Sequence, residues 1–481
     1  MKKILSFSLL FVLLVACGKK ENKSIESYLS SFIGQNEAVS LFGKVQLKSI
    51  LEKGEYSKIP IFGVLAQGEL NGMKNEINVD APIYFALEGP FSEDGIPASS
   101  YVFAEVKNAD SLAANLKQRG FDLEEKDGIK MASSGDVAIG FQNNLFILVS
   151  KADEFDGNDL LAKAFEAVYE DEAGGHVNSI LKGKGDIVYG VSIANLVNSS
   201  NTELKNLPKD KLKAFEQLVN NSFVAGSIKL ENGSATFQTN NLFSPDLKKS
   251  MFLKEDNSAA IRALLGTGQP RLGVSLNIDM KKMQSFLNTY APNALNELSE
   301  EIGGPMEMAL LTAGDDGLAG LFNGQLGMVM MGDPSADGTF TPNFNVHVGL
   351  EKTGQTLAQT FQGFLQRGMA QVDLTEKGLS AYSNANYLPK QGAMISVPQG
   401  CESFGKKGIC LFANLDGLNL ENFELEGAQK LLNIVKYASI EVDNNGVKIY
   451  LKAKDDNANI VKQVVTYLMQ ELEGDIAQMG F

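Results

Sequence analysis

The sequence predicts an α+β fold: two divergent copies of one mixed unit, with largely antiparallel sheets and helices packed on one face. Three observations predict it. Strand-like alternation recurs, as in Val39-x-Leu41 and in Leu272-x-Val274-x-Leu276-x-Ile278. Strands come in pairs around hairpin signals such as Asp127-Gly128 and Asn232-Gly233. Helical stripes follow single strands, which suits antiparallel sheets better than parallel crossovers. With 481 residues, the chain is long enough for two or three domains.

The first copy covers about 30–245. Tyr28 to Ile33 opens as a helix. Val39, Leu41 and Val45 then alternate as a strand, and Leu47, Ile50 and Leu51 follow at helical spacing up to Gly54. Ile83-x-Phe85-x-Leu87 and Tyr101 to Val106 are strands. The helix bearing Leu112, Ala113 and Leu116 starts at Asn108 or Asp110 and stops at Gly120. Leu123 to Met131 is a hairpin, and Val137 to Phe141 pairs with Leu145 to Val149 through Asn143-Asn144. Leu160, Leu161, Ala164, Phe165 and Val168 form a helical stripe. Strand Ile187 to Ile193, a helix with Leu212 and Phe215, and the hairpin around Asn232-Gly233 complete the copy.

Residues 246–267 read as a connector, and the order then restarts over 268–481. Leu272 to Ile278 matches the Val39 strand, and Met283, Phe286 and Leu287 match the helix with Ile50. Phe322 to Met331 is expected to turn at Asn323-Gly324. Phe344 to Leu350 and the helix with Leu357, Phe361 and Phe364, ending at Gly368, match Tyr101 to Gly120. Ile409 to Leu418 matches Ile187 to Leu196. The hairpin closing at Gly446 matches Ile228 to Thr239, and a helix with Ile460, Val464 and Leu468 ends the chain.

The first residues give an address. Lys2 and Lys3 precede an apolar run from Ile4 to Val15, too short for a permanent membrane span and of signal-peptide length. Leu14-Val15-Ala16-Cys17 resembles the lipobox of bacterial lipoproteins. That resemblance implies a signal peptide over 1–16, cleavage before Cys17, and acylation of the Cys17 sulfur and the new amino terminus. Several acyl chains, at about 0.8 kcal/mol per buried methylene, anchor a soluble body durably. Residues 17–29 then contain a polar tether, Gly18-Lys19-Lys20-Glu21-Asn22-Lys23, of which about ten residues reach roughly 35 Å. Gly18 stands where an inner-membrane retention signal would have aspartate, which favours the outer membrane.

Composition narrows the chemistry. The balance of 43 basic to 58 acidic residues leaves a net charge of −15, which repels nucleic acid and anionic surfaces. No second apolar stretch reaches the length of a span, so Cys17 is the expected membrane attachment. Beyond Cys17 there are two further cysteines, Cys401 and Cys410. Outside the cytoplasm they are expected to form a structural disulfide, which would stabilise the fold by about 3 kcal/mol in the chain-entropy model. Their spacing is not that of a redox dithiol or a zinc site.

No residues are assigned to catalysis, metal binding or a cofactor. The two histidines, His176 and His347, read as a loop and a strand residue, and no Gly-x-Ser-x-Gly elbow accompanies them. The acidic clusters Asp153 to Asp159 and Asp333 to Gly338 lack EF-hand spacing; the first reads as a helix cap at Asn158 or Asp159, the second as a turn. Gly266-Thr267-Gly268 and Gly183-Lys184-Gly185 fall short of dinucleotide and phosphate loops. Met328-Val329-Met330-Met331 is the most unusual run. Bounded by Gly327 and Gly332 it reads as a buried strand; on an open sheet face it would mark a lipid or lipoprotein partner. The absence of tryptophan weakens a glycan-binding role.

The lipobox, the Lys-rich polar start and the repeated strand-then-helix units resemble the uncharacterised lipoproteins of Bacteroides-type bacteria, grouped as domains of unknown function. The resemblance implies a cell-envelope lipoprotein and carries no site residues. The sequence reading favoured on this basis is a non-enzymatic scaffold with an envelope protein partner at the outer membrane. The alternative is a carrier or receptor for an apolar or glycan ligand in a groove between the halves. A carboxylate-only hydrolase ranks last.

Overall fold

The computed structural model describes residues 23–58, 72–92, 94–151, 156–199, 208–255, 260–291, 304–332, 342–367, 369–398, 401–418 and 427–478. The expected signal segment, Cys17, Asp153 to Phe155 and Asp333 to Gly338 lie outside the described residues. The fold is α+β, and every strand ladder is antiparallel. Two compact units are present: 1–48 with 64–183, and 49–63 with 184–481. The boundary near 183 therefore does not coincide with the expected connector 246–267, which lies inside the second unit.

In the first unit, α1 (Ile25–Gln35) is capped by Ser24, whose hydroxyl accepts from the Ser27 amide. Next come β1 (Val39–Val45), β2 (Ile83–Phe91), β3 (Pro97–Glu105) and α3 (Ala109–Gln118), while α2 (Leu47–Lys53) belongs from Ser49 onward to the second unit. Asn108 caps α3 through the Asp110 and Ser111 amides, which decides between the two start residues read from the sequence. Hairpins β4 (Glu124–Lys126) with β5 (Ile129–Ser134), and β6 (Val137–Gln142) with β7 (Leu145–Lys151), precede α4 (Gly157–Ala167) and α5 (His176–Leu181). The cap of α4 is Asp156, not Asn158 or Asp159.

The strand order in this unit is β1-β2-β3-β7-β6-β5-β4. Helices cover both faces rather than one. Phe32 of α1 packs on Tyr101 and Phe103, with ring centroids 4.7 and 5.4 Å apart. On the same side, a Cβ on Gly140 would lie 2.8 Å from the Phe165 ring, so the glycine admits α4 onto the sheet. On the opposite side Leu112 of α3 packs with Ile139, Phe141 and Phe146. An apolar set on each face of the strands requires a layer on each side.

The second unit contains β8 (Ile187–Ser192), α6 (Ile193–Ser199), α7 (Lys209–Val219), β9 (Phe223–Glu231), β10 (Ser234–Leu242), α8 (Pro245–Ser250), α9 (Ile261–Leu264), β11 (Leu272–Asn277), α10 (Met280–Tyr290), α11 (Gly304–Ala313), α12 (Gly317–Leu321), β12 (Phe322–Met331), β13 (Asn343–Leu350), α13 (Lys352–Leu365), β14 (Gln371–Thr375), β15 (Gly378–Tyr382), β16 (Ile409–Asn414), β17 (Val435–Asp443), β18 (Gly446–Ala453) and α14 (Ile460–Gln478). Among the described residues its eleven strands run β8-β9-β10-β18-β17-β16-β11-β12-β13-β15-β14. Asn323-Gly324 does not turn the chain, as the sequence suggested. It produces a register shift inside the single strand β12, with Gly324 at φ +91°.

Ser49 and Lys53 of α2 are held in this unit by Asp186. The Asp186 carboxylate accepts from Ser49 Oγ at 3.0 Å, Lys53 Nζ at 2.5 Å and the Leu230 amide at 2.7 Å. Element order also recurs. β16 with the hairpin β17–β18 follows the order of β8 with β9–β10, and the two hairpins meet edge to edge through β10 and β18. The hairpin β6–β7 has no counterpart between β15 and β16 among the described residues.

Candidate functional site: an apolar trough on the larger sheet

In β11 the side chains alternate between two faces. Gly273, Ser275 and Asn277 are on the covered face; Leu272, Val274 and Leu276 are on the other and are only partly buried. This inverts the usual arrangement, in which the apolar set of an alternating strand turns inward. The register carries the inversion across the sheet. Val274 stands opposite Met328 on one side and Leu411 on the other, and Leu411 stands opposite Ile440. Leu272 likewise stands between Met330 and Ala413, and Ala413 opposite Ala438.

These residues line a trough of about 340 Å³ over β12, β11, β16 and β17, with Gly273, Phe412 and Ser439 completing its lining. Among the described residues, no lining residue is charged. Met328 is 36% exposed, and Phe344, opposite Met330, is 37% exposed. The Met-rich strand is therefore split. Val329 and Met331 are buried in the core, as the buried-strand reading expects, while Met328 and Met330 line the open surface. Unbranched methionine side chains adapt to irregular apolar contacts.

The covered face beneath the trough is held by polar contacts. Ile261 and Leu265 pack with Val329, Met331, Phe404 and Phe412. Phe404 and Phe412 meet nearly edge to face, 5.2 Å between centroids. The carbonyls ending α9 are satisfied by strand side chains: Tyr382 Oη donates to Leu264 O at 2.7 Å, and Asn345 Nδ2 to Leu265 O at 2.8 Å. Ser275 Oγ accepts from the Gly405 amide at 2.9 Å, and Arg262 Nε donates to Phe404 O at 2.8 Å. Gly273 is required here, because a Cβ would lie 2.4 Å from the Phe412 ring. The inverted alternation thus has a local cause. Small and polar residues turn inward because they clamp the loops that roof this face.

Cys401 and Cys410 lie in this same core, each fully buried and each a free thiol in this structure. Cys401 Sγ is paired with Tyr437 Oη, and Cys410 Sγ is 3.6 Å from Ser403 Oγ. Burial pushes the Cys401 thiol up to about 11 and the Cys410 thiol up to about 12.

The histidines occupy different settings. His176 is the first residue of α5. His347 is fully buried on the covered face of β13, with Nδ1 2.8 Å from Ser380 Oγ and Nε2 without a hydrogen-bond partner among the described residues. Burial lowers its pKa to about 4, and Lys377 acts in the same direction. Among the described residues, no three His, Cys, Asp or Glu side chains gather to hold a metal ion, and no helix is long and apolar enough to cross a membrane.

Sequence reading named the Met run but not its partners on β11, β16 and β17. The available signal was Leu272-x-Val274-x-Leu276 alternating with Gly, Ser and Asn. That pattern does not reveal which face is covered.

No family model and no curated protein matches the chain. Crystal forms I and IV of TP0453 are similar to it at a TM-score of 0.27, with 9% and 8% identity. Each match covers 44% of this chain, and 77% and 79% of the respective TP0453 chain.

Proposed function

We propose that the protein is a lipid-anchored, non-enzymatic receptor or carrier of the bacterial outer membrane that holds an apolar ligand on the open face of its larger sheet. The observation that carries this reading is the inverted alternation: Leu272, Val274, Met328 and Leu411 face outward while Ser275, Asn345 and His347 are buried. A soluble surface normally breaks such apolar area with charge, and a continuous apolar patch marks an interaction site. The outer-membrane address rests on the segment from Lys2 to Cys17.

The scaffold reading would cover the same surface with a protein partner. Among the described residues the trough lining contains no arginine, tyrosine or tryptophan, the anchors that protein interfaces concentrate, and this favours a ligand. The recurring order of β8–β10 and β16–β18 supports two divergent copies. A backbone superposition that cannot hold both hairpins in register rejects that part.

The test is titration with N-phenyl-1-naphthylamine, a dye that fluoresces in apolar sites. Wild type should show saturable binding. Met328→Lys and Leu411→Lys should each weaken it about tenfold or more, since a charge must be desolvated in the trough. Unaltered dye binding in both variants, with unfolding midpoints near wild type, rejects the proposal.

A further inference from the structure

We infer that the occupant of the trough is one acyl chain of a membrane phospholipid, inserted tail-first with its headgroup left in water. This rests on the reading that the trough holds an apolar ligand, and it names the ligand's class.

Shape is the first argument. Met328, Val274, Leu411 and Ile440 form one row across four strands, each standing directly opposite the next. Adjacent strands are about 4.8 Å apart, so this row is roughly 15 Å long and one side chain wide. The neighbouring row, Met330, Leu272, Ala413 and Ala438, completes the floor and ends in its two shortest side chains. A floor longer than it is wide, two side chains across, fits an extended polymethylene chain better than a fused-ring ligand. A volume of about 340 Å³ is at the low end for small-molecule sites, which suits one chain rather than two.

Chemistry is the second argument. Among the described residues the lining offers no cation, so a free fatty acid entering the trough would find no lining partner there for its carboxylate. A phospholipid keeps its charged end outside. Past Ala413 and Ala438 the chain becomes polar, with Lys436 Nζ 3.5 Å from Asp416 Oδ2 and both side chains about half-exposed. A rim carrying both signs does not select a headgroup by net charge. Met328 and Met330 can repack around chains that differ in length or unsaturation. The anchor expected at Cys17 would keep phospholipid within reach of the body.

The experiment uses the mature chain from Cys17 onward, mixed with vesicles of equal parts phosphatidylethanolamine and phosphatidylglycerol. The probe is phosphatidylethanolamine with a diazirine at mid-chain. After photolysis, adducts should map to the open-face residues of β12 and β16, with Met328 and Leu411 foremost. Diazirine-phosphatidylglycerol should label the same residues. Met328→Lys should lower labelling about tenfold, and wild-type mapping gives an answer whether or not that variant folds. Adducts that are absent, scattered over the surface or restricted to one headgroup overturn the inference. So does displacement by palmitate at the same concentration as by phospholipid, which would identify a fatty-acid site. If the naphthylamine dye still binds while lipid labelling fails, only the acyl-chain identity falls. If both fail, the broader reading falls with it.

Discussion

Met330 and Met331 are adjacent in β12 and face opposite sides of the sheet. Met331 is fully buried with Val329 and Ile261, whereas Met330 lines the trough opposite Leu272. The pair gives a direct test of which face is the core. Met331→Ala should cost about 2–5 kcal/mol in urea unfolding, as for other buried methionines. Met330→Ala should cost less than about 1 kcal/mol, because the site is already open. Equal losses would mean that both faces are packed.

His347 should make the fold acid-sensitive. Its folded pKa, about 4, lies below the ordinary 6.5. Between these values the unfolded chain binds the extra proton. Stability is therefore fully present above pH 6.5 and declines as pH falls towards 4, by about 3 kcal/mol at most. His347→Gln should flatten that part of the pH–stability curve, measured by chemical unfolding at each pH. A parallel decline in the variant would locate the acid sensitivity elsewhere.

Asp186 fastens α2 to β9 within the second unit, through Ser49, Lys53 and the Leu230 amide. Burial alone would raise its pKa, yet the hydrogen bonds from Lys53, Leu230 and Ser49 outweigh burial and lower it. Asp186→Ala should cost about 2 kcal/mol at neutral pH. Its folded pKa is depressed, so the wild-type advantage is present above the ordinary aspartate pKa and disappears as pH falls through the folded value. A thermal-shift difference that persists undiminished at the lowest accessible pH contradicts this account.

The disulfide expected between Cys401 and Cys410 is testable by mass. Both sulfurs are in one buried cluster, and both are free thiols in this structure. In the envelope, a thiol oxidase would accept two electrons and two protons as the sulfur–sulfur bond forms. The intact mass of protein from cells, trapped with acid and alkylated after unfolding, should lack those two hydrogens. Cys410→Ser should then lower stability by about 3 kcal/mol. Full alkylation of both thiols without prior reduction would show that the pair stays reduced.

Membrane attachment has its own test. Cells grown with a palmitate analogue should label the wild-type chain and not Cys17→Ala. Unchanged labelling of the variant would place the lipid elsewhere or remove it from the argument.

Much of the fold was legible in the sequence because hairpin chemistry is local. Asp127-Gly128 and Asn232-Gly233 are in the turns they predict, and Asn108, one of the two start residues the sequence offers, is the cap. The hairpin β14–β15 was missed although Val372 and Leu374 alternate with Gln371, Asp373 and Thr375, because each strand is only five residues long. The placement of β11 between β16 and β12 was also not readable, since strand order depends on long-range pairing. The trough was visible only as a condition attached to the Met run. Alternation shows two faces but not which one the rest of the chain will cover.

The ladder between β10 and β18 joins Phe237 to Ile449, more than two hundred positions along the chain. The middle of this sheet therefore cannot close until the final hairpin is free to pair. Until then β10 lacks its partner on that side, and the earlier strands wait with edges that invite wrong pairing. Refolding of this unit from denaturant should be slow, with aggregation losses that rise with protein concentration.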